Sequence, residues 1–132
     1  MARRALTIVT CALVLALPPL NAEAAARSKA VTKIVRGTTV VCHKWGSIQV
    51  QLKVTQSVVG GKVKVKVLDV TWPTWPQHTV RSVFINQRAL PLLKQETLQV
   101  QSAKFESISG ATDISVAFKQ SLQAALLAAA KK

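Results

Sequence analysis

Ile48-Gln49-Val50-Gln51-Leu52-Lys53-Val54, then Gly60-Gly61, then Lys62-Val63-Lys64-Val65-Lys66-Val67: the fold turns on how these residues read. Ile48, Val50, Leu52 and Val54 are apolar, and Gln49, Gln51 and Lys53 between them are polar. Val63, Val65 and Val67 alternate with Lys62, Lys64 and Lys66 in the same way. Successive side chains of a strand point to opposite faces, so strict alternation predicts strands with one face on a core and one in water. Gly60-Gly61 supplies the reversal between them. The whole predicts an antiparallel hairpin whose lysine trio is its wet face. Lysines there also oppose edge-to-edge pairing with other chains.

Upstream of the hairpin, Gly37 opens a β-branched run, Thr38 to His43, that reads as a further strand, and Trp45-Gly46 reads as a turn. Ala25 to Arg36 is small, polar and basic, and reads as a linker, so the folded domain is expected over 37–130. Downstream, Trp72-Pro73-Thr74-Trp75-Pro76-Gln77-His78 reads as a loop, broken by two prolines. From Ser82 the period changes to a helical one, with Ile85, Ala89, Leu92 or Leu93, and Val100 on the stripe. Pro91 falls inside it. A proline within a helix costs about 3 kcal/mol, so it is expected to begin a second short helix or to mark a kink. The last helix is expected from about Asp113 to Ala130. It buries Phe118, Leu122, Ala125, Leu126 and Ala129, and Lys131-Lys132 suit the negative end of its dipole. Strands first and helices after predict an α+β fold: a small antiparallel sheet with one face covered by two or three helices.

The 132-residue length suits one domain. At the N-terminus, Met1-Ala2-Arg3-Arg4 is basic, Ala5 to Leu17 is almost wholly apolar, and Pro18-Pro19 ends the run. Ala22-Glu23-Ala24 follows as a small-residue cleavage site. This order predicts a secretory signal peptide over 1–26 and a linker over 27–36, with an uncleaved membrane anchor as the alternative, for which the apolar run is short. An exported protein is expected, extracellular, periplasmic or membrane-associated on the outer side. Cys11 lies inside the apolar run, where a lipid-anchor cysteine does not sit. Cys42 is then the one cysteine of the mature chain, so the fold stands without an internal disulfide. Its setting, Val40-Val41-Cys42, is that of a buried small hydrophobe.

The net charge is +13, and removal of Arg3, Arg4 and Glu23 leaves +12. Such a balance by itself favours anionic partners: a phosphate-bearing ligand, acidic lipid headgroups, a cell-wall polymer or nucleic acid. The positive charges are scattered, and no nucleic-acid partner is expected.

The segment with chemistry in it is Glu106-Ser107-Ile108-Ser109-Gly110-Ala111-Thr112, followed by Asp113, Ile114 and Ser115. It stands where a loop becomes a helix. The first helical turn has unpaired N–H groups and the positive end of the dipole, which together attract anions. Gly110 and Ala111 let a phosphate approach the backbone. Ser109, Thr112 and Ser115 add hydroxyls that bond phosphate oxygens.

Here the chain resembles the FMN-binding domain family, which includes flavin-carrying subunits of the sodium-pumping NADH:quinone oxidoreductase and of the Rnf electron-transport complex. The resemblance runs from about Gly37 to Leu127. Gly46-Ser47-Ile48-Gln49-Val50 is similar to the family's first strand, and Gly60-Gly61-Lys62-Val63 to its hairpin. Ser82, Ile85-Asn86, Ala89, Pro91, Leu93, Glu96 and Leu98 are similar to its middle helix. Ser109-Gly110-Ala111-Thr112 matches its S/T-G-A-T flavin motif, with Ser115 and Phe118 in the helix behind. The family usually has Asp three residues before the motif serine, where this chain has Glu106.

The resemblance implies FMN as cofactor, held through a phosphoester to Thr112 that a flavin transferase makes from FAD. Ser109, Gly110, Ala111 and Ser115 would line the phosphate. It implies an electron carrier or redox module rather than an enzyme with its own organic substrate, partnered by a redox protein or a membrane electron donor. An anionic membrane surface is a further candidate partner. Two rival readings remain beside it: a basic exported binding module that carries no flavin, and a flavin reductase or oxidase with a substrate pocket. The tryptophans at 72 and 75 would flank a flavin ring or simply pack on the domain. Other chemistry lacks its residues. His43 and His78 are far apart, no H-x-x-x-H or C-x-x-C spacing is present, and no G-x-S-x-G nucleophile elbow exists.

Overall fold

A computed structural model describes residues 29–131. The expected signal peptide, and Cys11 within it, lie outside the described residues. The hairpin forms as its alternation predicts. Strands β3 (Ser47–Val59) and β4 (Lys62–Thr74) pair antiparallel from Gln49↔Thr74 to Val59↔Lys62. Gly60 and Gly61 both have positive φ, 58° and 79°, which a tight two-residue hairpin turn requires and glycine adopts without strain. Ile48, Val50, Leu52, Val54, Val67 and Val70 face the core.

The ladder slips twice. Lys53 faces Asp69 while Val54 faces Val67, which leaves Leu68 as the extra residue of a bulge. The second slip lies at Trp72-Pro73, between Gln51↔Thr71 and Gln49↔Thr74. The expected loop over 72–78 therefore starts later, because β4 runs on to Thr74. It is an edge strand, and Pro73 sits at the irregularity, where a missing N–H is tolerated.

Strands β1 (Val31–Arg36) and β2 (Val40–Val41) follow one another along the other side of β3. The first corrects the expected linker over 27–36. Val31, Thr32, Ile34 and Val35 are β-branched and pair with β3 from Gln56 to Leu52. The second is all that forms of the strand expected over Thr38 to His43. His43–Trp45 is one turn of 3-10 helix instead, closed by Gly46 at φ 115°.

Two helices cover one face of the sheet, α1 (Val80–Val100) and α2 (Thr112–Ala129). Thr79 starts α1 with a capping box: its hydroxyl accepts from the Ser82 amide at 3.0 Å, and Ser82 Oγ accepts from the Thr79 amide at 3.3 Å. The helix runs unbroken through Pro91, which corrects the expectation of a second helix starting there. Pro91 and Gln87, whose carbonyl loses its donor, are both exposed, so water satisfies that carbonyl. The buried stripe is Ser82, Asn86, Ala89, Leu90, Leu93 and Thr97, while Leu92 and Val100 face outward. Its polar members are satisfied internally: Asn86 Nδ2 donates to the Pro76 carbonyl and Thr97 Oγ1 to that of Leu93. Gln101 ends the helix at φ 58° and reaches the free edge of β4, where its side-chain amide accepts from Val67 N at 2.7 Å and donates to Val67 O at 3.1 Å.

Helix α2 lies over β3 on a stripe rich in small residues, with Phe118 and Leu122 fully buried. Burying each of these large side chains stabilises the fold by roughly 1.5–3 kcal/mol. Its Ser121 enters the gap between β1 and β2. The Gly37 amide donates to Val50 O at 2.8 Å, Val50 N donates to Ser121 Oγ at 2.8 Å, and Ser121 Oγ donates to Thr38 O at 2.7 Å. A Cβ on Gly37 would stand 2.0 Å from the Ser121 carbonyl oxygen, so this close approach is possible only for glycine.

Candidate functional site

The motif turn is built from Ile108 to Ala111. Ala111 N donates to Ile108 O at 3.0 Å, and Gly110, third in the turn, has φ 80°. This is the geometry of a type II turn, whose third residue needs positive φ. No heavy atom lies within 4 Å of where a Gly110 Cβ would be, so the backbone conformation, not crowding, selects glycine.

Ser115 braces the turn from below. Its Oγ accepts from Ile108 N at 3.0 Å and donates to Ala111 O at 2.7 Å, and the residue is fully buried. The expectation that Ser115 bonds a phosphate is therefore corrected: its hydroxyl is engaged inside the protein and positions the loop. Lys119 holds the preceding segment, donating to Phe105 O at 3.2 Å and Ser107 Oγ at 3.0 Å.

Ala111 is the N-cap of α2, and no side chain caps it. Thr112 is the first helical residue. The amides of the first turn have no partner within the helix, and they meet no capping oxygen here. Thr112 is exposed.

These residues stand on a cavity of about 320 Å³, within the range of small-ligand sites. Gly110 to Ile114 form one wall. Helix α1 contributes Arg81, Ile85 and Asn86, and the segment around β2 contributes Cys42 and Trp45. Among the described residues, Arg81 is the one cation on the lining and Asp113 the one anion, and Trp45 and Ile85 give it apolar surface. Burial pushes the Cys42 thiol above its ordinary range, and the Asp113 carboxylate pushes it further the same way. The thiol therefore stays protonated and unreactive at neutral pH.

Gly110, Ala111 and Thr112 are thus together on the cavity. Ser109 is exposed and stands off its lining, and Glu106 is exposed as well. Trp72 and Trp75 are half-buried against the core and do not line the cavity. The aromatic residue that does is Trp45, which reads in the sequence only as a turn. Arg81 gives no sequence signal beyond its charge. Its position follows from Thr79, whose cap starts α1 two residues earlier. Among the described residues, no three His, Cys, Asp or Glu side chains gather as a metal site would require.

No family model matches the chain, and no curated protein sequence matches it.

The donor set can be tested against the group the resemblance implies. A phosphate needs hydrogen-bond donors and positive charge, and here the uncapped helix start, the Thr112 hydroxyl and the Arg81 guanidinium share one cavity. A flat apolar ring system needs apolar wall, which Trp45 and Ile85 supply. Asp113 opposes an anion. It lines the cavity as the acidic residue in the first turn of α2. The residues present fit FMN.

Proposed function

We propose that the protein is an exported FMN carrier, with FMN joined to Thr112 and held in the cavity beside it. One observation carries this reading. The Ser109-Gly110-Ala111-Thr112 sequence forms a turn that delivers Thr112 to an uncapped helix start, on a cavity that also holds Arg81 and Trp45.

Each residue has a task that follows from its place. Gly110 sets the turn that aims Thr112. Ser115 fixes the turn on the core, which holds the backbone that leads into Thr112. The first-turn amides and Arg81 stabilise the phosphate's negative charge. Thr112 is exposed, so a flavin transferase can reach its oxygen. Thr112 Oγ1 would take the FMN phosphoryl group from FAD, with AMP as the leaving group and the hydroxyl proton passing to solvent. FMN, once bound, supplies one- and two-electron transfer. Trp45 and Ile85 keep water from part of the cavity, and the domain presents the cofactor to a redox protein or a membrane electron donor. A covalent link suits a protein outside the cytoplasm, where a dissociated cofactor is not recovered.

The test is intact mass with a visible spectrum, on protein co-expressed with a flavin transferase and then denatured. Added mass of one FMN less water that survives denaturation, and is lost in Thr112→Ala, establishes the ester. Yellow colour that leaves on denaturation means FMN held without the bond, and Arg81→Gln should then weaken uptake. Colourless protein of unmodified mass that takes up no FMN overturns the reading.

A further inference from the structure

The open face of the sheet is strongly one-signed. Residues 29–74 carry eight Lys or Arg against one carboxylate, Asp69, whereas residues 75–131 carry six against three. From Ile34 to Leu68 there is no acidic residue at all, and Arg36, Lys53, Lys62, Lys64 and Lys66 fall in that stretch. Directly opposed residues share a face, and the pairings Arg36↔Gln51, Lys53↔Asp69, Thr55↔Lys66 and Ser57↔Lys64 put these cations on the side away from the helices. Asp69, the one carboxylate there, is already paired with Lys94 at 2.6 Å.

The hairpin ends in an apolar tip, with Val59 on this face opposite Lys62 and Val58 on the other face opposite Val63. The helical layer stops at the level of Gln56, whose side chain donates to the Lys131 carbonyl at 2.9 Å, just past the end of α2. Beyond it Val58 and Val59 are 42% and 40% exposed, and Gly60, Gly61 and Lys62 are exposed too. The end of the basic ribbon thus carries an adjacent pair of partly exposed valines.

We propose that the β3–β4 hairpin docks tip-first on an anionic lipid bilayer, with Val58 and Val59 entering the headgroup boundary and Lys62, Lys64 and Lys66 meeting the acidic headgroups. The charge pattern selects an anionic partner. The valine pair selects a bilayer over a soluble polyanion, because exposed apolar surface gains only where hydrocarbon replaces water. The inference is independent of the flavin reading. It also sets an orientation. The Trp45 end of the cavity adjoins Ser47, at the far end of the 13-residue β3 from the tip. At about 3.3 Å per residue the strand separates the two by roughly 40 Å, so a docked protein turns its cavity toward the aqueous side.

The test is co-sedimentation of the purified full-length protein with phosphatidylcholine vesicles, with and without phosphatidylglycerol, at low and high salt. The apolar run at residues 5–17 can itself bind lipid, so the readout is the difference between variants of the same preparation. Wild type should bind the anionic vesicles at low salt, and the triple variant Lys62→Gln, Lys64→Gln, Lys66→Gln should lose roughly a hundredfold in partitioning, from about fivefold per lysine. Val58→Ser with Val59→Ser should weaken vesicle binding but leave binding to dextran sulfate unchanged. Fluorescence added by Val59→Trp should be quenched by brominated lipid. All changes lie at exposed positions, and matched melting curves verify the fold. Lysine variants that sediment like wild type overturn the proposal. So do valine variants that do so while Val59→Trp stays unquenched, an outcome that would reassign the face to a soluble polyanion.

Discussion

Ser121→Ala tests the join between helix and sheet. The substitution removes the oxygen that accepts from Val50 N and donates to Thr38 O. Val50 is fully buried, so its amide would lose its partner without gaining water, a penalty of about 1–3 kcal/mol. Thr38 is exposed, so its carbonyl recovers most of its bond from solvent. Alanine gives back roughly 0.5 kcal/mol in helix propensity. The net expected loss is about 1.5 kcal/mol, a large share of the roughly 5–15 kcal/mol available to a domain. For a domain of this size that lowers Tm by about 6–12 °C. Thermal and urea unfolding followed by circular dichroism would measure it. A loss below about 0.5 kcal/mol would refute the reasoning, because it would mean that the β1–β2 gap closes or hydrates without the helix hydroxyl.

Other consequences can be checked alongside it. Gly37→Ala places a methyl 2.0 Å from a backbone oxygen and should destabilise the protein more than Ser121→Ala does; soluble protein with an unchanged Tm would contradict the close approach. Lys94 hydrogen-bonds Asp69 and, with the Val70 amide, holds its carboxyl below the ordinary 3.8. A carboxyl lowered on folding stabilises above its unfolded pKa, and that stability is lost as pH falls through the folded one. Both side chains are about a third or more exposed, so Lys94→Met should cost less than about 1 kcal/mol at neutral pH and nothing in strong acid, and urea midpoints at the two pH values should show this. Cys42 should react with iodoacetamide far more slowly than a free thiol, and Asp113→Asn should speed it. Reaction at the free-thiol rate would mean that the Cys42 segment opens.

The hairpin and α2 were legible because each shows one uninterrupted period, of two residues or of a helical turn. The edge was harder. Val31 to Arg36 has the β-branched composition of a strand, but Lys33 and Arg36 and the small residues before it make it read as linker. What orders it is β3, a partner that sequence windows do not contain. Helix α1 misleads in two ways. Pro91 faces water, so its missing bond is cheap, and Ser82, Asn86 and Thr97 are buried where a stripe search looks for apolar residues. The motif was legible as the place where a loop becomes a helix. Its surroundings were not. Arg81 and Trp45 meet Thr112 only through the packing of α1 and β2 against α2, and Ser115 looks like a ligand hydroxyl until its two internal bonds are seen.

The Ser121 hydroxyl also imposes an order of events on synthesis. Its two partners lie 71 and 83 residues earlier in the chain. The sheet residues emerge first, yet the β1–β2 edge stays incomplete until the last helix has been made and has docked. Such long-range contacts form late and slow the folding of a small domain. A chain interrupted before α2 would display an unfinished strand edge, the kind of surface that aggregates or meets proteases. One serine thus makes completion of the C-terminal helix a condition for hiding that edge.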